Sequence, residues 1–344
     1  VRFYTLALQD PTTGLTWVPD NTGLGFTKSA SQFYTFSSLL NGYTNPAALQ
    51  LEFDVQIAPL HQFQGYAKIT VYGIGLGMIS QAANLNGANF TLNAGMALGL
   101  PLANPAQAGL IAQGTVYQAY GNWEGAEQSL DLIVYSGSVA TAQNAQFTWK
   151  RGQSLQTAIA AMLAGAFPTY TPKFNISQNL IAPNDQPGVY DSLQNVATMI
   201  QQMSSQIGQP IYGSDYQGIW IVPQGQTIYV FDSQGPNANL PKALAFQDLI
   251  GQPTWNSPFQ ITFKTVLRAD INVTDNITFP VGVSQPYALT TQAAAQPNTP
   301  ASNKTAFQGR FQIVEAHHWA SFRSPTAESW NTTFVANSLM QGPS

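Results

Sequence analysis

The stretch Leu49-Gln-Leu-Glu-Phe-Asp-Val-Gln-Ile57 alternates apolar and polar side chains without a break. Successive side chains of a β-strand leave on opposite faces, so this pattern predicts a strand with one face in a core. Leu49, Leu51, Phe53, Val55 and Ile57 take the core face; Gln50, Glu52, Asp54 and Gln56 take the other. Pro59 ends the strand. After a short loop, Ala67, Ile69 and Val71 alternate against Tyr66, Lys68 and Thr70, which predicts a hairpin of two long strands.

A strand with one apolar face ordinarily shows water a charge-rich opposite face. Here half of that face is amide, and the same holds chain-wide. Only 12 basic and 16 acidic residues occur among 344, whereas there are 35 Gln and 23 Asn. The hydrophobic share, 44%, is ordinary, so a core is retained while surface charge is replaced. Neutral amides cost less to bury than charges, provided they find partners. The composition is that of a subunit built to sit among other subunits. The net charge of −4 and the lack of any basic run argue against nucleic-acid binding through counterion release. Residues 69–123 carry no charge, but Pro101, Pro105 and scattered amides break every ~20-residue apolar window, so no membrane span is expected. No charged-then-apolar leader opens the chain, and no signal peptide is expected. The absence of cysteine excludes disulfides, thiolate metal sites and thiol nucleophiles.

Residues 90–94, 110–120 and 129–135 read as further strands, with a turn at 121–125. Helical periodicity begins after Ser154, a candidate N-cap, with Leu155, Ile159, Met162 and Leu163 on one face. Asp191 is the candidate cap of a second helix carrying Leu193, Val196, Ile200, Met203 and Ile207, with Gly208 as its C-terminal stop and Pro210 beyond. Short strands follow at 218–222 and 227–231. A last section offers strands at 259–267, 272–279, 311–319 and 330–336, and a low-complexity loop at 284–306. The expected fold is therefore mainly β with a smaller α+β section. A barrel-like β section at 1–147 and a second β section at 249–344 flank a helix-bearing insertion at 148–248.

No catalytic set emerges. His61, His317 and His318 are the only histidines. His317 and His318 are adjacent in a strand and point to opposite faces, so they do not share a metal. Glu315 and His317 share a face but are far from a closed ligand set. Serine catalysis lacks its nucleophile elbow. Asp270 and Asp275 flank a turn and are read as solvating or capping it rather than as a hydrolytic pair. Gly73-Ile-Gly-Leu-Gly77 lacks the Lys-Ser/Thr of a phosphate loop and is read as a bulge or close packing. Neither enzymatic activity, metal nor cofactor is expected.

Four stretches resemble the baseplate hub proteins of contractile-tailed bacteriophages. The first runs from Lys68-Ile-Thr-Val-Tyr-Gly73 through Asn84-Leu-Asn-Gly to Phe90-Thr-Leu-Asn-Ala-Gly95, a strand that enters a short helix and returns as a strand. The second is Leu110-Ile-Ala-Gln-Gly-Thr-Val116 to Leu130-Asp-Leu-Ile-Val-Tyr-Ser-Gly137, the hairpin of the same barrel. The third is Gly152-Gln-Ser-Leu-Gln-Thr-Ala-Ile159 with the 191–208 helix. The fourth is Gly309-Arg-Phe-Gln-Ile-Val-Glu-Ala-His317 with Arg323-Ser-Pro and Ser329-Trp-Asn-Thr-Thr-Phe-Val-Ala336. The resemblance covers most of residues 45–340 and rests on fold patterns rather than catalytic signatures. It implies a structural virion protein with two tube-like barrels. Such a protein is a homotrimer joining a sixfold tail tube, or its initiator, to a threefold spike, with baseplate wedge contacts. It would be assembled in the host bacterial cytoplasm and located in the virion tail. Gln50, Glu52, Asp54 and Gln56 would then face the DNA channel or a neighbouring subunit. The competing expectation is a secreted or surface β-rich carbohydrate-binding module.

Overall fold

The computed structural model describes residues 1–339 except 21, 23–24, 63–64, 97–103, 136–144, 169, 215, 236–239, 258, 281–306 and 308. The expected loop at 284–306 lies outside the described residues. The first section holds β1 (Arg2–Gln9), β2 (Thr16–Pro19), β3 (Phe26–Ser29), β4 (Phe36–Ser37), β5 (Leu39–Leu40) and β6 (Tyr43–Thr44). It continues with β7 (Gln50–Ile57), β8 (Tyr66–Tyr72), α1 (Leu76–Ser80), β9 (Asn89–Met96), β10 (Gly109–Glu124) and β11 (Glu127–Tyr135). The central section holds β12 (Ala145–Trp149), α2 (Leu155–Ala166), β13 (Thr171–Asn175), β14 (Gln186–Tyr190), α3 (Leu193–Tyr212), β15 (Trp220–Gln224) and β16 (Thr227–Phe231). The last holds β17 (Lys242–Ala243), β18 (Thr254–Ser257), β19 (Gln260–Val266), β20 (Asn276–Thr278), β21 (Arg310–Ser321) and β22 (Trp330–Leu339). Among the described residues no helix is long and apolar enough to cross a membrane.

The chain is mainly β, and both outer sections share one sheet. Its path is β18-β19-β22-β21-β7-β8-β11-β10-β9-β1-β2-β3. The junction is β7 against β21, antiparallel, with Phe53 opposite Ala320 and Ile57 opposite Ala316. Two separate barrels are not what these pairings give: the ladder is open, with no closing pair among the described residues. The physical reason is that β7 offers a full edge on each side, and its second edge is taken by β21 rather than by a strand of its own section. The core follows the sheet. Tyr4, Leu6, Phe53, Val55, Ile69 and Leu92 pack in one cluster with Phe263, Phe311, Trp330 and Phe334. Arg2 ties the two sections at their ends. Its guanidinium donates to the Ser321 and Thr326 carbonyls at 3.2 and 2.7 Å and to Ser329 Oγ at 3.0 Å. It also lies 5.6 Å over the Trp330 ring.

The hairpin of β7 and β8 forms as the alternation predicts, with Leu51 opposite Val71. The glycine-rich segment is a strand exit into a helix. Gly73 takes a left-handed φ of 81°, and Gly75 is the N-cap of α1. The chain then returns as β9, ending in Ala94-Gly95-Met96. The β10–β11 hairpin is longer than the predicted turn at 121–125 allows. Glu124 pairs with Glu127, and Gly125 at φ 62° makes the turn. The predicted strand at 272–279 shrinks to β20, because Asp275 turns the chain by accepting the Asn272 N–H at 2.7 Å.

The central section has its own core of Phe147, Trp149, Ile159, Leu163, Ile200, Ile221 and Val230. Ser154 caps α2, accepting from the Thr157 N–H. The cap of α3 is Ser192, not Asp191; Asp191 instead accepts from the Asn195 side-chain amide at 2.6 Å. Gly208 does not stop α3. The helix runs through Pro210 and ends at Gly213, φ 104°. Gly208 is needed for close approach: a Cβ there would sit 2.3 Å from the Tyr216 ring.

Candidate functional site

The side of the sheet turned away from the core is the candidate site, and β7 is its centre. Leu51, Phe53, Val55 and Ile57 are buried, while Gln50, Glu52, Asp54 and Gln56 are all half-buried. Strand register brings partners to these four from both sides. On β8, Gln50, Glu52 and Asp54 meet Tyr72, Thr70 and Lys68; on β21, Glu52, Asp54 and Gln56 meet Ser321, Trp319 and His317.

Glu52 is held at three points. It accepts from Gln50 Nε2 at 3.2 Å, from Ser321 Oγ at 2.9 Å and from the Tyr72 hydroxyl at 3.2 Å. Gln50 also donates to Ser321 Oγ at 2.9 Å and accepts the Arg323 backbone N–H at 2.8 Å. Asp54 Oδ1 lies 2.7 Å from His317 Nε2. One strand further, Thr70 Oγ1 donates to Asp131 at 2.6 Å. Burial raises the Tyr72 phenol above its ordinary range, and the Glu52 carboxylate adds to this. Burial also raises Glu315, partly offset by the neighbouring His317 charge. Trp319 stands 41% exposed in the middle of this face, opposite Asp54. The arrangement is a broad surface of amides, hydroxyls and aromatic rings, with acids outnumbering bases. Such a surface is suited to contact and steering rather than bond chemistry.

His317 and His318 point to opposite faces, as the alternation requires. His317 meets Asp54, whereas His318 is 2% exposed in the interior and bonds Thr332 Oγ1 at 2.9 Å. Glu315 shares the outer face with His317. His61 packs edge-on against Trp220, with ring centroids 5.0 Å apart, at the join between the sheet and the central section. No group of three or more His, Asp or Glu able to hold a metal ion occurs among the described residues.

Asp270 and Asp275 belong to a structural clamp. Arg268, 4% exposed, grips Asp270 with Nε at 2.8 Å and Nη2 at 2.7 Å, and reaches Asp248 with Nη1 at 3.1 Å. Lys242 pairs with Asp275 at 2.6 Å. Arg268→Ala is expected to cost about 2–3 kcal/mol, below the ~3–5 kcal/mol typical of a broken buried pair because both aspartates keep some solvent. Urea unfolding checks this. A loss under ~0.5 kcal/mol would show that the clamp is a surface pair of no consequence.

Sequence reasoning placed the four β7 residues on one face but missed Ser321, Trp319 and Tyr72 as their partners. The segment 315–321 carries the same period, with Ala316, His318 and Ala320 inward. An inward histidine between two alanines hides that period from a hydrophobicity reading.

A scan against protein-family models gives no match, and a search of curated proteins gives none. Among solved structures the chain is similar to an Escherichia coli type VI secretion component, itself described as structurally similar to the T4 bacteriophage tail proteins gp27 and gp5. That likeness has 10% identity and a TM-score of 0.49, over 85% of this chain and 74% of that one. It is also similar to a 43 kDa tail protein of prophage MuSo2 from Shewanella oneidensis, at 7% identity and TM-score 0.47, over 85% and 99%. A third likeness is to a tail protein from Neisseria meningitidis, at 7% and 0.45, over 97% and 96%.

Proposed function

We propose that this chain is a structural, non-enzymatic baseplate hub of a contractile phage tail. It acts as a homotrimer that joins the sixfold tail tube, or its initiator, to the threefold spike and lines the DNA channel. The observation that carries the reading is the continuous sheet with one broad, charge-poor polar face. Sheet hydrogen bonding through β7 and β21 makes a single wall from two sections distant in sequence, which suits a protomer that contributes two adjacent wall segments to a ring. The resemblance of the segment order supports it, and the passage from β8 through α1 to β9 has the form that the resemblance implies.

In this reading residues 1–147 and 249–344 are the two ring-forming units, and 148–248 is the inserted domain. Gln50, Glu52, Asp54 and Gln56 face the channel or a neighbouring subunit. The acid-leaning face repels DNA phosphates, so the genome slides without sticking; a basic wall would hold it. The protein then resides in the virion tail after assembly in the host cytoplasm, with wedge proteins around it. Native mass spectrometry and averaged electron-microscope images of assembled particles test this. Three copies per ring, with the four β7 side chains on the lumen or at a subunit boundary, are expected. Sixfold rings of identical chains, or these side chains on the outer rim, would overturn it.

A further inference from the structure

A cavity of about 370 Å³ lies where the three sections meet. It sits at the small end of the roughly 300–1,000 Å³ range of ligand pockets. Val55, Ile57 and Ile111 form its floor, all of them buried core residues. A register shift in β10 between Leu110 and Ala112 turns Ile111 inward and leaves Leu110 half-exposed at the rim. The β15–β16 turn supplies the opposite wall with Gln226, Thr227 and Tyr229.

The polar part of the lining falls into two groups. Gln224 is fixed, donating to Asn272 Oδ1 at 3.0 Å and accepting the Val273 N–H at 3.4 Å. It braces the rim. Gln113, Gln226, Thr227 and the Tyr229 hydroxyl have no side-chain hydrogen-bond partner among the described residues. Tyr229 stays a neutral phenol, because burial and nearby Asp275 raise it above its ordinary range. Among the described residues no lining side chain is charged at neutral pH.

These features select a ligand class. An anionic or cationic ligand finds no charged side chain in the lining and loses its hydration, because the acid near Tyr229, Asp275, is already paired with Lys242. A purely apolar ligand would cover two amides and two hydroxyls without satisfying them. What fits is a small, uncharged molecule with an apolar face for the aliphatic floor and hydroxyls around its edge. We propose that this cavity binds a neutral sugar unit of a glycan. The site is independent of the assembly reading, since it lies within one chain.

Saturation-transfer NMR and titration calorimetry of the full chain with the methyl glycosides of glucose, galactose and N-acetylglucosamine test the proposal. At least one is expected to bind saturably at millimolar concentration. Glucose 6-phosphate and cyclohexanol are expected to bind more weakly than the best neutral sugar. Gln226→Ala and Tyr229→Phe each remove one hydrogen-bonding group and are expected to weaken binding by roughly 2–10-fold. Circular dichroism confirms that each variant folds, and Gln113→Ala substitutes for any that does not. No saturable binding by any of the three glycosides overturns the proposal. So does tighter binding of the phosphate or the cyclic alcohol, or unchanged affinity in folded variants.

Discussion

Acidification from pH 7 to pH 4 is expected to remove about 3 kcal/mol of stability through His318 alone. Burial pushes this imidazole down to about 3 from an ordinary 6.5, and the charge of His317 adds to the shift. The folded chain therefore holds His318 neutral. The unfolded chain takes up its proton below about pH 6.5, and the folded chain does so only near pH 3. A depressed base of this kind contributes its full stability above the ordinary value. That contribution is lost as the pH falls toward the folded value. Asp232 and Glu315, both raised by burial, pull the other way, so the wild-type curve alone does not isolate the histidine. His318→Gln does, since it cannot titrate. Its stability deficit at pH 7 is expected to shrink steadily between pH 6.5 and pH 4. Urea midpoints measured across that range decide the matter: parallel curves for the two proteins would show that His318 is not held neutral by the fold.

The second large effect belongs to Trp330. It is 1% exposed and packs against Phe53 at 5.7 Å and Phe322 at 6.3 Å between ring centroids. Phe53 comes from the first section and Trp330 from the last, so this contact joins the two beside the β7–β21 pairing of their shared sheet. Trp330→Ala is expected to cost about 3–5 kcal/mol, through lost burial and the cavity left behind. Trp330→Phe is expected to cost far less, under about 1.5 kcal/mol. It keeps most of the ring volume and removes an indole N–H that has no hydrogen-bond partner among the described residues. Because the core is shared, calorimetry of Trp330→Ala should show both β sections losing stability together. A variant in which the strands of the first section unfold at the wild-type temperature would mean that the two sections are thermodynamically separate.

The β7 strand was legible residue by residue because period two is a local property. Each side chain's face follows from its neighbour's, and five apolar residues in nine positions leave one orientation. The β10–β11 hairpin was legible in kind but not in length, since Gly121 looks like a turn residue and is a strand residue. There a Cβ would run into Ile79 of α1 at 2.4 Å. Glycine marks a close approach in that case, as it does at Gly208. Both misreadings have one cause: a glycine required by a tertiary contact cannot be told from one required by a turn.

The candidate site divides the same way. That Gln50, Glu52, Asp54 and Gln56 share a face, and that the chain is short of charge, stands in the amino-acid order and composition. That Asp54 meets His317 across 263 positions, and that Glu52 collects Ser321 and Tyr72, does not. Many strands here have similar apolar faces, so hydrophobic pattern decides which side of a strand is buried but not which strand lies beside it. Partner choice is set by long-range packing, in which Arg2, Phe53 and Trp330 close one core over both ends of the chain. Local sequence therefore determined the strands and their two faces, and only the tertiary structure decided that the two β sections form one wall.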